Sequence, residues 1–292
     1  MKKTLFLIAF AFNLILVYGQ NPDTTYWKTG GVTSMTFSQT QYKYWSAGGE
    51  NSAAFTGIAN LKANYLKDKI SWKNTLDLGY GLQKSMNAPF RKTDDKIDFA
   101  SKFGYKAVNK FYYSGLINFK TQFTEGYEYL DNGDSNLVSG FMAPGYLLYS
   151  VGIDYLPNED FSIYTSPLTG KTTFVMNDYL SNIGAYGVDT GKTVRYEFGA
   201  YVKAELNKKI TDNLTINTKV GLFSNYLKDP QNIDVNFDLL ASLKVTKFIT
   251  VNFTTQMIYD HDILVLVNSD TGYQGRRLQI KEIVGIGIAF NF

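Results

Sequence analysis

KTVRYEFGAYVKAELN, residues 192–207, alternates apolar and polar side chains. Val194, Tyr196 and Phe198 begin the apolar face at even positions, whereas Arg195 and Glu197 begin the charged face at odd positions. Side chains of a β-strand alternate between two faces in this way. The segment is much longer than the usual strand of about five or six residues in a globular sheet. It therefore predicts a long strand that separates an apolar from a polar environment.

The same alternation divides the chain from Val32 onward into about 12 strands. The expected strands are 32–43, 52–67, 70–85, 93–107, 110–126, 141–156, 160–177, 191–207, 210–226, 232–245, 248–263 and 275–292. Tight turns, as at 67–69, alternate with longer polar loops, as at 127–140. An even number of long strands with short turns at one end is typical of bacterial outer-membrane barrels. We therefore predict an all-β fold, a transmembrane antiparallel up-and-down β-barrel over residues 32–292, with both termini in the periplasm.

Residues 1–19 have the features of a cleaved secretory signal peptide. Lys2 and Lys3 precede an apolar stretch from Leu5 to Tyr18, and Gly19 supplies a small residue for cleavage. The apolar stretch is shorter than the roughly 20 residues that a helix needs to cross a bilayer. We expect residues 20–31 to form a periplasmic N-terminal segment before the barrel.

A soluble barrel or sandwich shows the same alternation with its apolar face turned inward. The position of the aromatic residues favours the membrane alternative, because outer-membrane barrels carry aromatic girdles at both interfaces. On the apolar face near the turns these are Tyr65, Trp72, Tyr105, Phe111, Tyr155 and Phe161, and near the loops Tyr80, Tyr127, Tyr226 and Tyr259.

Composition excludes several classes of protein. The sequence contains 0 Cys, which excludes disulfide scaffolds and thiolate metal sites. The net charge of +3 includes Lys2 and Lys3 of the leader, so nucleic acid is not an expected partner.

The run Thr169-Gly170-Lys171-Thr172 lacks the earlier glycine and the following helix of a nucleotide-binding loop. No cofactor is expected.

His261, the single histidine, lies between Asp260 and Asp262, and alternation along its strand places it on the outer face. A lipid-active enzyme would need a serine beside this histidine and a third group to orient it. No nucleophile motif accompanies His261, and three short ligands are weak evidence for a cation site. We predict no enzyme, no catalytic residue and no metal site, with a lipid-active enzyme as the weakest hypothesis.

The C-terminal strand ends on an aromatic residue. Ile286, Ile288, Phe290 and Phe292 alternate with small residues that include Gly287. This pattern resembles the signal by which the barrel-assembly machinery recognises its clients, with Gly287, Phe290 and Phe292 at its key positions. The resemblance implies that this machinery is a partner during biogenesis.

Several motifs resemble an uncharacterised family of predicted outer-membrane barrels from Bacteroidetes-type bacteria. They are Trp27-Lys28-Thr29-Gly30-Gly31, its echo Trp45-Ser46-Ala47-Gly48-Gly49-Glu50-Asn51-Ser52, Phe37-Ser38-Gln39, Asp94-Asp95, 141–146 and 166–171. The resemblance covers nearly the whole mature chain and implies location and fold only. We expect Trp45, Gly48, Gly49, Glu50 and Asn51 to form tight turns at the rim or, in the sharper hypothesis, a loop that folds over or into the mouth as a constriction or ligand contact.

The polar face of the strands mixes both signs of charge. The candidate lumen-lining residues are Lys73, Asp77, Asp98, Lys102, Lys120, Asp154, Arg195, Glu197, Lys203, Glu205, Lys219, Asp234, Asp238 and Lys244. Twelve strands in a circular barrel give a backbone diameter of about 24 Å, which leaves a narrow lumen.

Two functional hypotheses follow from this lumen. The first is a narrow channel or uptake barrel for small polar solutes. The second is a non-catalytic structural or accessory subunit of an outer-membrane complex. Outer-membrane lipid is an expected partner under both, and the sequence names neither the solute nor the complex.

The C-terminal aromatic residue generates a first prediction. Deletion of Phe292 should lower the amount of protein inserted into the outer membrane, because it removes the final residue of the assembly signal. Membrane fractionation with heat-modifiable gel migration measures this. Normal insertion of the truncated chain would refute the role.

Overall fold

The computed structural model describes residues 26–41, 51–85, 88–130, 133–246, 249–268 and 273–291. The strands are β1 (Trp27–Thr40), β2 (Ser52–Lys67), β3 (Ile70–Ser85), β4 (Phe90–Val108), β5 (Phe111–Thr121), β6 (Gly126–Tyr129), β7 (Ser135–Ser139), β8 (Gly145–Tyr155), β9 (Phe161–Phe174), β10 (Val194–Lys209), β11 (Leu214–Asn225), β12 (Ile233–Lys244), β13 (Ile249–Tyr259), β14 (Val265–Asn268), β15 (Tyr273–Gly275) and β16 (Gln279–Asn291). Twelve of them close into an antiparallel barrel in the order β1-β16-β13-β12-β11-β10-β9-β8-β5-β4-β3-β2. The predicted fold class is confirmed.

The boundaries differ from the expected ones at the N-terminal end. β1 begins at Trp27, which pairs with Tyr65 of β2, so residues 27–31 belong to the barrel wall and not to a preceding segment. The glycines at 30 and 31 hid this extension, because they interrupt the alternation. The expected signal peptide and residues 20–25 lie outside the described residues.

The two faces of the wall have opposite chemistry. Tyr196, Val284 and Ile286 expose 63% to 73% of their surface on the outside, whereas the carboxylate of Asp154 is buried inside. Apolar side chains cover the exterior and polar side chains fill the interior, the reverse of a soluble barrel. Among the described residues, no helix is long and apolar enough to cross a membrane.

A bulge in β9 changes which residues face inward. Residues 167 and 168 both lie opposite Ala200, because Ser166 pairs with Tyr201 and Thr169 with Gly199. The Ser166 hydroxyl donates to the carbonyl of Val151 at 2.7 Å and stabilises the irregular backbone. Pro167 is tolerated here because bulges are where a central strand can lack a backbone donor. In β9, the residues that face inward therefore have even numbers before the bulge and odd numbers after it.

The loops carry a small folded cap. Hairpin β6–β7 lies between β5 and β8, and helix α1 (Asp178–Asn182) follows β9. Val175, Leu180 and Val188 from this second loop form an apolar core with Ala143. The hydroxyl of Tyr186 donates to the carbonyl of Val138 in the hairpin, and burial raises the pKa of Tyr186 to about 12. Two long loops on this side are thus packed together.

The barrel closes through a short seam. Among the described residues, β1 pairs with β16 over Val32–Thr36, although the same register would continue to Phe37 opposite Ile286. Gly287 lies at this seam, and a Cβ atom there would stand 2.1 Å from the carbonyl oxygen of Met35. The close approach of the two strands therefore requires glycine.

The seam generates a second prediction. Because the sequence has no cysteine, the double variant Met35→Cys with Ile288→Cys should form an intramolecular disulfide in the assembled barrel. These two residues are paired in register, at a separation that a disulfide can span. The matched control is Phe37→Cys with Ile286→Cys, one pleat further along, which should cross-link much less. Gel mobility without reductant measures both, and equal cross-linking would show that the seam continues to this level.

Candidate functional site

Among the described residues, most ion pairs of the barrel interior fall into three groups. The first lies near the turns, where Lys102 Nζ is 2.8 Å from Asp154 and 3.9 Å from Glu205. Lys203 Nζ is 2.8 Å from the other carboxylate oxygen of Glu205. The side chains of Lys102 and Asp154 are almost fully buried. This turn-side cluster joins β4, β8 and β10.

The second group crosses the lumen at mid-height. Lys219 on β11 is 2.7 Å from Asp77 on β3, and Lys96 on β4 is 3.0 Å from Asp238 on β12. In each pair the two strands are six places apart in the ring of twelve and therefore lie opposite each other. We name these two pairs the crossing pairs.

The crossing pairs define the shape of the barrel. An extended lysine reaches about 6 Å from its Cα atom and an aspartate about 3.5 Å, so the opposing Cα atoms lie within about 13 Å of each other. The circular cross-section of about 24 Å that the strand number suggests is therefore wrong at this level. The barrel is flattened here, and the crossing pairs occupy the narrow axis.

Polar groups surround the crossing pairs and satisfy their remaining bonds. Asn60 donates to Asp77, and Gln256 donates to Asp238 at 3.3 Å. Beside them, the carboxylate of Asp98 accepts a hydrogen bond from Asn118 at 2.7 Å. The Lys120 ammonium is 3.7 Å from Asp98, and Lys62 donates to Asn217 at 3.0 Å. Buried charges that are paired and hydrogen-bonded in this way do not carry the full cost of desolvation.

The third group lies toward the loops and centres on Lys171. Its Nζ atom is 2.7 Å from Asp234, 3.3 Å from Asp260 and 3.5 Å from Glu197. Arg195 then bridges Glu197 at 3.0 Å to Asp262 at 2.8 Å. This loop-side cluster joins β9, β10 and β12 to the residues that follow β13.

Asp262 stands where the loop-side cluster meets solvent. Burial opposes its ionisation, but the hydrogen bond from Lys228 at 3.0 Å and the charge of Arg195 lower its pKa below the ordinary value. The carboxylate is therefore ionised at neutral pH and holds the arginine at the mouth.

A cavity of about 260 Å³ lies between the crossing pairs and the loop-side cluster. Tyr146, Tyr201 and Phe223 provide aromatic walls, while Lys171 and Asp234 provide charges. A smaller cavity of about 90 Å³, lined by Asn60, Asp94 and Lys281 among others, lies beside the crossing pairs. Both volumes are on the scale of small solutes or a few waters.

The predicted lumen residues divide into three sets. Twelve of them are members of the ion pairs described above. Lys73 faces inward beside Lys102, with which it is paired in register, but it makes none of the ion pairs found in the described part of the chain. Lys244 lies exposed at the turn end of β12, apart from the three groups.

The other predicted positions are only partly described. Trp45, Gly48, Gly49 and Glu50 lie outside the described residues, and Asn51 directly precedes β2. Gly287 and Phe290 belong to β16 and pair with Thr36 and Thr33, while Phe292 lies outside the described residues. The mouth loop and the assembly signal therefore stay predictions.

Sequence reasoning missed four important interior residues. Lys62 and Lys96 obey the alternation of their strands and could have been found from it. Lys281 is an inward residue of β16 and pairs with Asp94 at 2.7 Å. Lys171 was hidden because the bulge in β9 reverses the alternation, and only Pro167 signals that irregularity.

His261 does not lie on the outer face of a strand. β13 ends at Tyr259, and His261 follows in a turn where its backbone N–H donates to Asp234 and its carbonyl accepts from Arg276. The expectation from alternation was wrong because the strand ends two residues earlier. Among the described residues, no group of side chains could hold a metal ion.

Comparison with known families gives one match. Residues 37–127 match a family described as "Protein of unknown function (DUF3078)". The match covers less than a third of the chain, from the end of β1 to the start of β6. No curated protein matches the sequence. The expected resemblance to a family of unknown function therefore has support in part of the chain, and the type of bacterium stays a prediction.

Several solved barrels resemble the structure at low sequence identity. The translocator domain of the autotransporter NalP from Neisseria meningitidis is 10% identical, with 100% of this chain and 98% of that chain covered and a TM-score of 0.38. An outer membrane channel from Pseudomonas putida F1 is 12% identical, with coverages of 94% and 98% and a TM-score of 0.39. The P. putida toluene transporter TodX is 12% identical, with coverages of 92% and 79% and a TM-score of 0.29. No solute, residue role or assembly transfers at these scores.

The crossing pairs generate a third prediction. Lys219→Met should lower the free energy of unfolding by about 3 kcal/mol, because it leaves the largely buried Asp77 without its cation. Adding Asp77→Leu should restore most of the lost free energy of unfolding, since an apolar pair can replace a buried ion pair at little cost in stability. Urea unfolding in lipid vesicles, followed by tryptophan fluorescence, measures both variants.

The matched control for this prediction is Lys209→Met. Its partner Asp212 is exposed at a turn, and exposed ion pairs contribute about 0 to 1 kcal/mol. Equal losses for Lys209→Met and Lys219→Met would mean that the crossing pair is as well solvated as the surface pair.

Proposed function

We propose that this chain is a barrel of the Gram-negative outer membrane that admits small polar solutes into its lumen and passes them along a narrow route controlled by the crossing pairs. The observation that carries the proposal is the position of Lys219–Asp77 and Lys96–Asp238 beside two cavities whose linings include charged side chains. The proposal includes no catalysis. In the proposed orientation, the short turns of the barrel face the periplasm and the longer loops face the outside of the cell, as is usual for such barrels.

The wall supports the membrane part of the proposal. Its exterior exposes large apolar side chains, and in lipid every backbone polar group of a spanning segment must be bonded within the protein. A closed barrel meets that requirement. In water, the same exterior would form an exposed apolar surface far larger than soluble monomers carry.

The interior supports the solute part of the proposal. A solute in the larger cavity meets Lys171, Asp234 and several hydroxyl and amide groups. To move past mid-height, the solute must replace the contacts within the crossing pairs with contacts to its own polar groups. A charged or strongly hydrogen-bonding solute can do so, whereas an apolar one would leave the charges unpaired. The route therefore favours small polar solutes over apolar ones.

The accessory-subunit hypothesis is the second candidate, and the folded cap favours it. Hairpin β6–β7 and helix α1 share an apolar core, and Phe141 beside them exposes a large apolar surface. A partner at the outer face could cover that surface. Co-purification in mild detergent tests this hypothesis, and consistent isolation as a lone monomer would count against it.

The proposed route generates a fourth prediction. The wild-type barrel should show low ion conductance in planar bilayers. The fourfold variant Asp77→Ala, Lys96→Ala, Lys219→Ala and Asp238→Ala should raise the conductance by at least roughly threefold, because it removes the side chains that cross the narrow axis. Heat-modifiable gel migration establishes that the variant is folded.

The control removes one exposed ion pair, through Lys209→Ala with Asp212→Ala, and leaves the lumen intact. It should conduct like the wild type. A folded fourfold variant that stays sealed would overturn the proposed route and leave the accessory role. A wild-type conductance as high as that of a wide porin would also contradict the narrow route.

A further inference from the structure

Lysines are concentrated at one part of the turn side. Lys67 ends β2, Lys69 lies in the turn that follows, and Lys106 and Lys110 flank the turn between β4 and β5. The two turns touch, because the backbone N–H of Lys106 donates to the carbonyl of Lys69 at 2.7 Å. We name these four residues the basic patch. Asp68 is the only acidic residue within the two turns.

The basic patch is not neutralised by carboxylates. None of its four lysines takes part in the ion pairs found among the described residues. Instead, Lys67 Nζ lies 4.4 Å from the ring centroid of Tyr26, and Lys69 Nζ lies 6.0 Å from that of Tyr105. Elsewhere on this side Lys28 pairs with Glu159 and Lys209 pairs with Asp212. The patch is therefore a local excess of positive charge.

Aromatic rings lie directly toward the membrane from the basic patch. Trp27 packs against Tyr65 at 5.3 Å and against Trp72 at 5.6 Å between ring centroids. Phe103 continues the row at 6.5 Å from Trp72. Such rings occupy the level of lipid headgroups in membrane proteins, with cationic side chains beyond them. The positive charges thus lie at the level of a lipid headgroup, and the apolar rings lie at the level of its acyl chains, as an anionic lipid requires.

We propose that the basic patch and the adjoining aromatic row form a binding site for an anionic phospholipid of the turn-side leaflet. The ammonium groups of Lys67 and Lys69, which lie against the rings of Tyr26 and Tyr105, contact the headgroup phosphate. Lys106 and Lys110 add positive charge at the turns, and the acyl chains lie along Trp27, Trp72 and Phe103. The site rests on the membrane location in the proposed function and is independent of any solute route. An acidic protein segment could use the lysines but would leave the aromatic row without a partner.

The tryptophans allow a direct test. Trp27 and Trp72 border the site, and the third tryptophan, Trp45, is removed by Trp45→Phe. The full-length barrel is placed in bilayers that contain brominated phosphatidylglycerol or, separately, brominated phosphatidylcholine. Bromine quenches tryptophan on contact, so the ratio of the two relative association constants reports headgroup preference. We expect a preference of about fivefold for phosphatidylglycerol, which 1 M salt abolishes by screening.

A fourfold variant should abolish the preference, so that the ratio of the two association constants is about one. Its substitutions are Lys67→Gln, Lys69→Gln, Lys106→Gln and Lys110→Gln. The control variant Lys28→Gln, Lys208→Gln, Lys209→Gln and Lys244→Gln removes four lysines from the same side and should keep the preference. Equal quenching by both lipids in the native barrel, or loss of preference in the control, would overturn the site. Quenching by neither lipid would instead overturn the membrane location itself. An acidic polypeptide that binds the native barrel while lipid preference is absent would assign the patch to a protein partner.

Discussion

Closure of the backbone hydrogen-bond ladder is the constraint on which the rest of the structure depends. A strand in lipid cannot leave its N–H and C=O groups without partners, so the first and last strands have to meet. They meet through Val32–Thr36 of β1, where Gly287 of β16 permits the close approach. Every other strand pairs with a neighbour along the chain or across one hairpin. The two ends of the sequence therefore complete the wall.

The closed wall then separates two solvents, and the side chains sort accordingly. Outside, large apolar and aromatic residues face the membrane and end in an aromatic row near the turns. Inside, cationic side chains and carboxylates form ion pairs in three main groups. Because the barrel is flattened, side chains from opposite strands reach each other, and the interior holds separate cavities where a circular barrel would hold a continuous pore. The wall chemistry and the lumen chemistry are consequences of one alternating pattern.

Much of this architecture could be predicted from the sequence, because alternation with period two is a local property. It located the twelve barrel strands and placed residues such as Asp154 and Glu205 on the polar side. Lys171 was missed because a single bulge reverses the alternation, and His261 was misplaced because its strand ends early. The crossing pairs could not be predicted, since they depend on the tilt and flattening of the whole barrel. The hairpin β6–β7 and the cap core depend on contacts between separate loops.

The crossing pairs also constrain the order of assembly. Lys219 and Asp77, like Lys96 and Asp238, are 142 residues apart in the chain. Hairpins of neighbouring strands can form from local contacts, but pairs of such long range form late. Until the sheet curls shut, these four charged side chains stand in open rows that water must solvate. The growing sheet therefore has to keep its inner face hydrated while its outer face enters lipid, and it loses that water only when the opposite walls meet.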